Sequence, residues 1–215
     1  MSRSLIARCR LYGFIDTAYL EERDPGEVAQ QLIAGGADVL QVRAKKNSHA
    51  ERVEIAWKAV SVASEHGVPV IINDDINAAF ETGADGVHLG QEDWSRLGGR
   101  AERLQQLANM RIIGLSTHSL EQALAAERDG ADYIGVGPVF PTGTKPGAKP
   151  VGVELVREVA ARVTVPFFAI GGITLANVGK VLEAGATRVA VVSAILNAPD
   201  VAETAAAFRK RLENA

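Results

Sequence analysis

Apolar residues fall into eight short runs, separated by longer stretches with helical spacing. The runs predict strands at Leu11–Asp16, Val39–Arg43, Val68–Asn73, Gly86–Gly90, Arg111–Ser116, Tyr133–Gly137, Pro166–Gly171 and Arg188–Ser193. Several are near-continuous in Val, Ile and Leu, as expected of strands covered on both faces. The stretches between them predict helices over Asp24–Gly35, Ser48–His66, Ile76–Thr82, Asp93–Leu107, Ser119–Asp129, Gly152–Arg162, Thr174–Ala184 and Asp200–Asn214. Asp24 is expected to cap the first of these, with Pro25 at the first helical position, where a missing N–H is no loss. Strict alternation of strand and helix over short connections implies parallel strands joined by right-handed crossovers. Eight strands favour a closed (β/α)8 TIM barrel, read as a single domain over residues 1–215. The alternative is an open doubly wound sheet. Its Gly-rich dinucleotide turn after the first strand is missing from Phe14-Ile15-Asp16-Thr17.

A repeated tripeptide supports the barrel. Gly36-Ala37-Asp38, Gly83-Ala84-Asp85, Gly130-Ala131-Asp132 and Gly185-Ala186-Thr187 each close a helical pattern and precede an apolar run. Their glycines are 47, 47 and 55 residues apart. A unit of that length holds two strand–helix pairs at ordinary loop lengths, so four units make eight pairs. The longer last interval coincides with the Pro/Gly/Lys-rich segment from Pro138 to Pro150.

Composition narrows the function classes. The 215 residues carry a net charge of −3, so no global basic field points to nucleic acid. The single cysteine, Cys9, permits no internal disulfide, which fits a reducing compartment. The first ten residues hold three arginines and no apolar stretch long enough for a signal core. No run of about 18 apolar residues predicts a membrane span. The expected location is the cytoplasm, and the composition is compatible with a homo-oligomer.

In such barrels the chemistry sits at the C-terminal ends of the strands. The second strand ends Gln41-Val42-Arg43-Ala44-Lys45, and period two puts Gln41, Arg43 and Lys45 on one side, three donors suited to phosphate. A solvated strand end is the alternative. Asp74 follows the third strand and Asp93 the fourth. Neighbouring strands lie about 4.8 Å apart, so two such carboxylates and a substrate phosphate could share a magnesium ion; helix capping is the other reading of each. Ser116 ends the fifth strand beside Thr117 and His118, and either faces the mouth or caps the next helix. His88 lies inside a strand and reads as a hydrogen-bonded core residue, whereas His49 and His66 read as surface positions. The long loop Pro141–Pro150 offers Thr142, Thr144 and Lys145 within four residues, enough to close over an anion. The seventh strand ends Gly171-Gly172 and the eighth Val192-Ser193, at the usual backbone phosphate site of these barrels. Two anion-binding regions on one mouth suit a diphosphate and a monophosphate.

These residues resemble a known family. Gln41-Val42-Arg43-Ala44-Lys45 is similar to its Gln-Leu-Arg-x-Lys, with valine for the common leucine and Ala44 at a variable position often filled by glutamate. Ile71-Ile72-Asn73-Asp74, the stretch Gly83 to Asp93, Ile113 to His118, Gly135 to Lys145, Ala169 to Ile173 and Val191 to Ile195 follow in the family's order. The family is thiamine-phosphate synthase. The resemblance implies an enzyme that joins 4-amino-2-methyl-5-(diphosphooxymethyl)pyrimidine to a thiazole phosphate, or its carboxylated form, releasing pyrophosphate. It implies that Gln41, Val42, Arg43, Ala44, Lys45, Asn73, Ser116 and Lys145 hold the pyrimidine diphosphate. Among these Ser116, Arg43 and Lys145 would act on the leaving group. It assigns Thr142, Gly143, Thr144, Gly172, Val192 and Ser193 to the thiazole phosphate, and Asp74 and Asp93 to Mg2+.

Three rivals remain at this level. A thiazole tautomerase of the same superfamily would use one substrate and an acid–base group such as His118, with no metal. A non-catalytic ligand sensor would need no metal at a leaving group. A phosphosugar isomerase or aldolase would need a lysine or carboxylate at the barrel centre, where none is evident.

Overall fold

The computed structural model describes residues 5–108, 110–144 and 147–214. Its strands are β1 (Leu11–Asp16), β2 (Val39–Arg43), β3 (Val70–Asn73), β4 (Gly86–Leu89), β5 (Ile112–Thr117), β6 (Tyr133–Val136), β7 (Phe167–Ile170) and β8 (Val189–Val191). Each pairs in parallel with the next, and β1 pairs with β8, closing the barrel. The longer helices are α2 (Pro25–Ala34), α3 (His49–Glu65), α7 (Leu120–Arg128), α8 (Gly152–Arg162) and α11 (Val201–Glu213). Shorter ones are α1 (Thr17–Leu20), α4 (Ile76–Thr82), α5 (Gln91–Arg96), α6 (Arg100–Gln106), α9 (Val178–Glu183) and α10 (Ser193–Leu196). The eight-stranded barrel is the one expected from the alternation. Asp24 caps α2 as expected, accepting from the N–H groups of Gly26 and Glu27.

Departures from the expected elements have local causes. The helix expected over Asp93–Leu107 is two helices, because Gly98 takes a φ of 89° between α5 and α6. The helix expected from Thr174 starts at Val178. The Asn177 side chain occupies the preceding turn, accepting from Thr174 N–H and donating to the Gly172 carbonyl. Two single-turn helices were not expected: α1 follows β1 directly, capped by Asp16, and α10 follows β8.

The repeated tripeptide has a physical meaning beyond its glycine. Gly36, Gly83, Gly130 and Gly185 all have positive φ, the left-handed turn that ends a helix. The alanine after each donates its N–H back to the helix, at 3.0–3.2 Å: Ala37 to Leu32, Ala84 to Ala79, Ala131 to Ala126 and Ala186 to Val181. The aspartate then clamps the preceding strand from both sides. Asp85 donates its N–H to the Val70 carbonyl at 2.9 Å, and its carboxylate accepts from Val70 N–H at 3.0 Å. Asp132 does the same to Ile113, and Asp38 to Leu11. An N–H at the beginning of a strand, on the side where the next strand has not yet started, would otherwise lack a ladder partner, and leaving it unmet is costly. In the fourth unit Thr187 stands in the aspartate's place and accepts from Arg188 instead.

The barrel interior is aromatic. Tyr12, Tyr133 and Phe168 meet edge to face, with ring centres 5.1–5.8 Å apart. Space for Tyr133 comes from its register partner Gly114, where a Cβ would stand 2.2 Å from the tyrosine ring. Among the described residues no helix is long and apolar enough to cross a membrane.

Replacing one clamp tests this account. Asp85→Ala should lower unfolding free energy by about 1–3 kcal/mol, the usual cost of stranding a buried donor. Asp85→Asn, which keeps an acceptor, should cost less. Urea denaturation monitored by circular dichroism measures both, and an Asp85→Ala midpoint equal to the parent's would refute the clamp.

Candidate active site

A cavity of about 160 Å3 opens at the C-terminal ends of the strands. Period two along β2 sends Gln41 and Arg43 to its wall, and Lys45 reaches it from the turn that follows. Val42 and Ala44, between them, are buried but do not line it, so only their main chains can serve it. Arg43 is held from β1. Its Nη1 lies 2.8 Å from Asp16 Oδ2, and Asp16 is 1% exposed. The two are register partners in adjacent strands. Nη2 donates to the Thr144 carbonyl at 3.3 Å, tying the long loop to the same guanidinium. Asp16 therefore serves Arg43 and caps α1 at once. Residue order places Asp16 at a strand end and gives it no partner; its register opposite Arg43 supplies one.

Asn73 and Asp74 reach the wall from the end of β3. Asp74 Oδ2 lies 2.6 Å from Asn73 Nδ2 and 3.2 Å from Lys45 Nζ. Its φ of 62° is uncommon for a non-glycine residue, a conformation kept where the surroundings over-determine it. Asp93 stands in the first turn of α5. Its carboxylate pairs with Arg96 at 2.9 Å and is not part of the cavity wall, although Gly90, at the start of that helix, is.

The other arc comes from β5 to β8. Ser116 lines the cavity, its carbonyl accepting from Gln91 Nε2 at 2.6 Å. Gly171 and Gly172 line it with φ of 98° and 64°, and a Cβ on Gly172 would stand 2.4 Å from the Pro141 carbonyl oxygen. Only glycine permits that approach of the β7 end to the loop. Val192 and Ser193 line it at the start of α10, and Thr142 and Thr144 from the loop. Tyr19 bonds Thr144 Oγ1 at 2.8 Å. Gly143 is exposed and outside the wall. Lys145 lies outside the described residues. The cationic donors of β2 and the glycines of β7 thus open onto one cavity, as the two-anion reading requires.

Below the mouth lies a buried polar chain. Gln41 Nε2 donates to Tyr12 Oη at 2.7 Å. Tyr12 Oη lies 2.8 Å from Tyr133 Oη, which lies 2.9 Å from His88 Nδ1. His88 Nε2 is 2.9 Å from Ser116 Oγ. Burial pushes both tyrosine hydroxyls well above their ordinary range, so they remain protonated. Burial, and less strongly the Lys45 ammonium, pushes His88 down to about 4 against the pull of Asp74, so the imidazole is neutral at pH 7. The expectation of a hydrogen-bonded core histidine holds. His49 and His66 are exposed, as expected. His118 is half-buried, its Nδ1 donating to the Gly137 carbonyl, and it does not line the cavity.

Residues 11–195 match the family model described as thiamine monophosphate synthase. The chain belongs to this family. A thiamine-phosphate synthase of Shouchella clausii is 42% identical over 207 residues, covering 96% of this chain and 97% of that protein. One from Methanocella arvoryzae is 47% identical over 182 residues, 84% of this chain and 83% of that protein. The solved thiamine phosphate pyrophosphorylase from Pyrococcus furiosus superposes with a TM-score of 0.85 at 34% identity, covering 99% of this chain and 98% of that one. The resemblance read from the strand-end motifs and the assignment as an enzyme are both borne out.

His88 makes folding pH-dependent in a definite direction. Its folded pKa, near 4, lies below the ordinary 6.5, so the unfolded chain binds the proton more readily. Its contribution is complete above about pH 6.5 and is lost as pH falls towards 4, up to about 3 kcal/mol. Urea titrations at pH 7 and pH 5 should show a smaller loss for His88→Gln than for the parent. Equal losses would place His88 outside this linkage.

Proposed function

We propose that this protein joins 4-amino-2-methyl-5-(diphosphooxymethyl)pyrimidine to a thiazole phosphate, or its carboxylated form, to give thiamine phosphate and pyrophosphate. The observation that carries this reading is the single cavity lined by Arg43, Lys45 and Asp74 on one arc and by Gly172 and Ser193 on the other. A diphosphate on the first and a monophosphate on the second would bring their reacting ends together.

The residues at the first arc suit Mg2+. Asp74 offers hard carboxylate oxygens at the wall, and Asp93, in the first turn of α5 beyond the neighbouring strand, would have to leave Arg96 to join it. Among the described residues no cluster of three or more His, Cys, Asp or Glu could hold a metal. Two carboxylates would leave the remaining positions to phosphate oxygens and water. When bound, magnesium would neutralise charge on the diphosphate.

The chain's own residues do the rest. Gln41, Asn73 and the main chain at Val42 and Ala44 position the pyrimidine diphosphate. Arg43, Lys45 and Lys145 balance the negative charge that grows as the C–O bond breaks and its electron pair leaves with pyrophosphate. The electron-rich aminopyrimidine delocalises the cation left on the methylene carbon. Thr142, Gly143, Thr144, Gly172, Val192 and Ser193 hold the thiazole phosphate so that the ring nitrogen's lone pair forms the new C–N bond. No strong base is required. That separates this reading from the tautomerase, whose candidate base His118 is turned to the Gly137 carbonyl.

Purified protein supplied with both substrates and Mg2+ should release pyrophosphate and thiamine phosphate in equal amounts. Conversion of the thiazole phosphate alone, or binding without turnover, would overturn the reading. Arg43→Lys keeps the charge but loses the planar fork shared between Asp16, the loop and the diphosphate. It should lower kcat/KM about a hundredfold. Unchanged kcat/KM in a folded Arg43→Lys protein would remove Arg43 from this role.

A further inference from the structure

The buried chain from Gln41 to Ser116 runs beneath the cavity, whose wall Tyr12 and His88 also join, and Tyr12, Tyr133 and His88 have no direct part in the proposed chemistry. Each hydroxyl has one proton and a neutral imidazole one N–H, so a buried chain in which every proton meets a neighbour runs in a single direction set by its end. Gln41 presents its amide NH2 to Tyr12. Tyr12 Oη accepts there and has its own proton for Tyr133, 2.8 Å away. Tyr133 in turn has its proton for His88 Nδ1, at 2.9 Å. A neutral imidazole that accepts at Nδ1 carries its proton at Nε2, which faces Ser116 Oγ at 2.9 Å. The serine oxygen accepts from His88, and its own hydrogen is left for the cavity.

We propose that Tyr12, Tyr133 and His88 are positioning residues that polarise Ser116 in one direction, holding its hydroxyl as a donor towards an anionic substrate oxygen. This rests on the synthase reading for the identity of the anion. The reverse order would tie the serine proton to His88 Nε2 and face oxygen lone pairs towards the diphosphate, which is repulsive. The serine backbone cannot turn away to compensate, because Gln91 holds its carbonyl at 2.6 Å. Gly114 belongs to the same device, since a side chain there would displace the Tyr133 ring.

Two measurements test this. Nitrogen-15 NMR of histidine-labelled, ligand-free protein should find His88 protonated at Nε2 and bare at Nδ1; the Nδ1–H form would overturn the proposal. This readout needs no turnover, so it stands or falls separately from the synthase assignment, which the product assay decides. The second is a double-mutant cycle. Tyr133→Phe should lower kcat roughly tenfold with each KM within about twofold of the parent's, because the lost orientation matters most as charge develops on the leaving group. In a Ser116→Ala background, Tyr133→Phe should have no further effect on kcat. Losses that multiply would mean that Tyr133 acts independently of the serine, and the proposal would fail. Should Tyr133→Phe not fold, Tyr12→Phe breaks the chain one link earlier and is read by the same cycle.

Discussion

Parallel closure is the constraint on which the rest of this molecule depends. Pairing β1 with β8 leaves no sheet edge, and eight parallel strands must all deliver their carboxyl ends to one face. Period two then decides which side chains reach the mouth. Gln41 and Arg43 face the cavity because they alternate with Val42, and a slip of one residue in β2 would exchange the two sets. The aspartate clamps at Asp38, Asp85 and Asp132 hold the other end, fixing the starts of β1, β3 and β5. Register at the bottom of the barrel and geometry at its mouth are two ends of one arrangement.

Closure also creates a problem in the interior. Aromatic rings crowd it, two of them with hydroxyls, and a buried hydroxyl without partners is costly. The chain through Tyr12, Tyr133 and His88 meets that need by linking every polar group to the next. The same burial keeps the tyrosines protonated and the histidine neutral, which a one-way donor chain requires. Satisfying the core and orienting the wall of the cavity are therefore one task.

The period-two pattern and the helix-ending glycines made the barrel and the β2 donor set legible from residue order. Gly98 was harder to read: a glycine inside a helical pattern can be tolerated or can break it, and here its positive φ divides α5 from α6. Interactions that cross strands were least visible. Asp16 meets Arg43 across 27 residues and Tyr12 meets Tyr133 across 121, distances that hydrophobic periodicity does not encode. Asp93 shows the same limit. Its position at a strand end was readable, but its pairing with Arg96 one turn along α5 depends on side-chain orientation.

The charges of the mouth are arranged in opposed pairs. Arg43 meets Asp16, and Lys45 meets Asp74, so neither cation is isolated in the absence of ligand. The two pairs differ in burial, and that difference assigns them different work. Asp16 is 1% exposed and cannot easily release its partner, so Arg43 is a fixed fork whose remaining N–H groups are set towards the loop and the cavity. Lys45 is half exposed, and its pair with Asp74 is held weakly enough to be exchanged. In the proposed reaction an incoming diphosphate would draw Lys45 away and free Asp74 oxygens for a cation without disturbing Arg43. A rigid guanidinium beside an exchangeable lysine–aspartate pair supplies what the proposed diphosphate site would need, one fixed contact and one that yields.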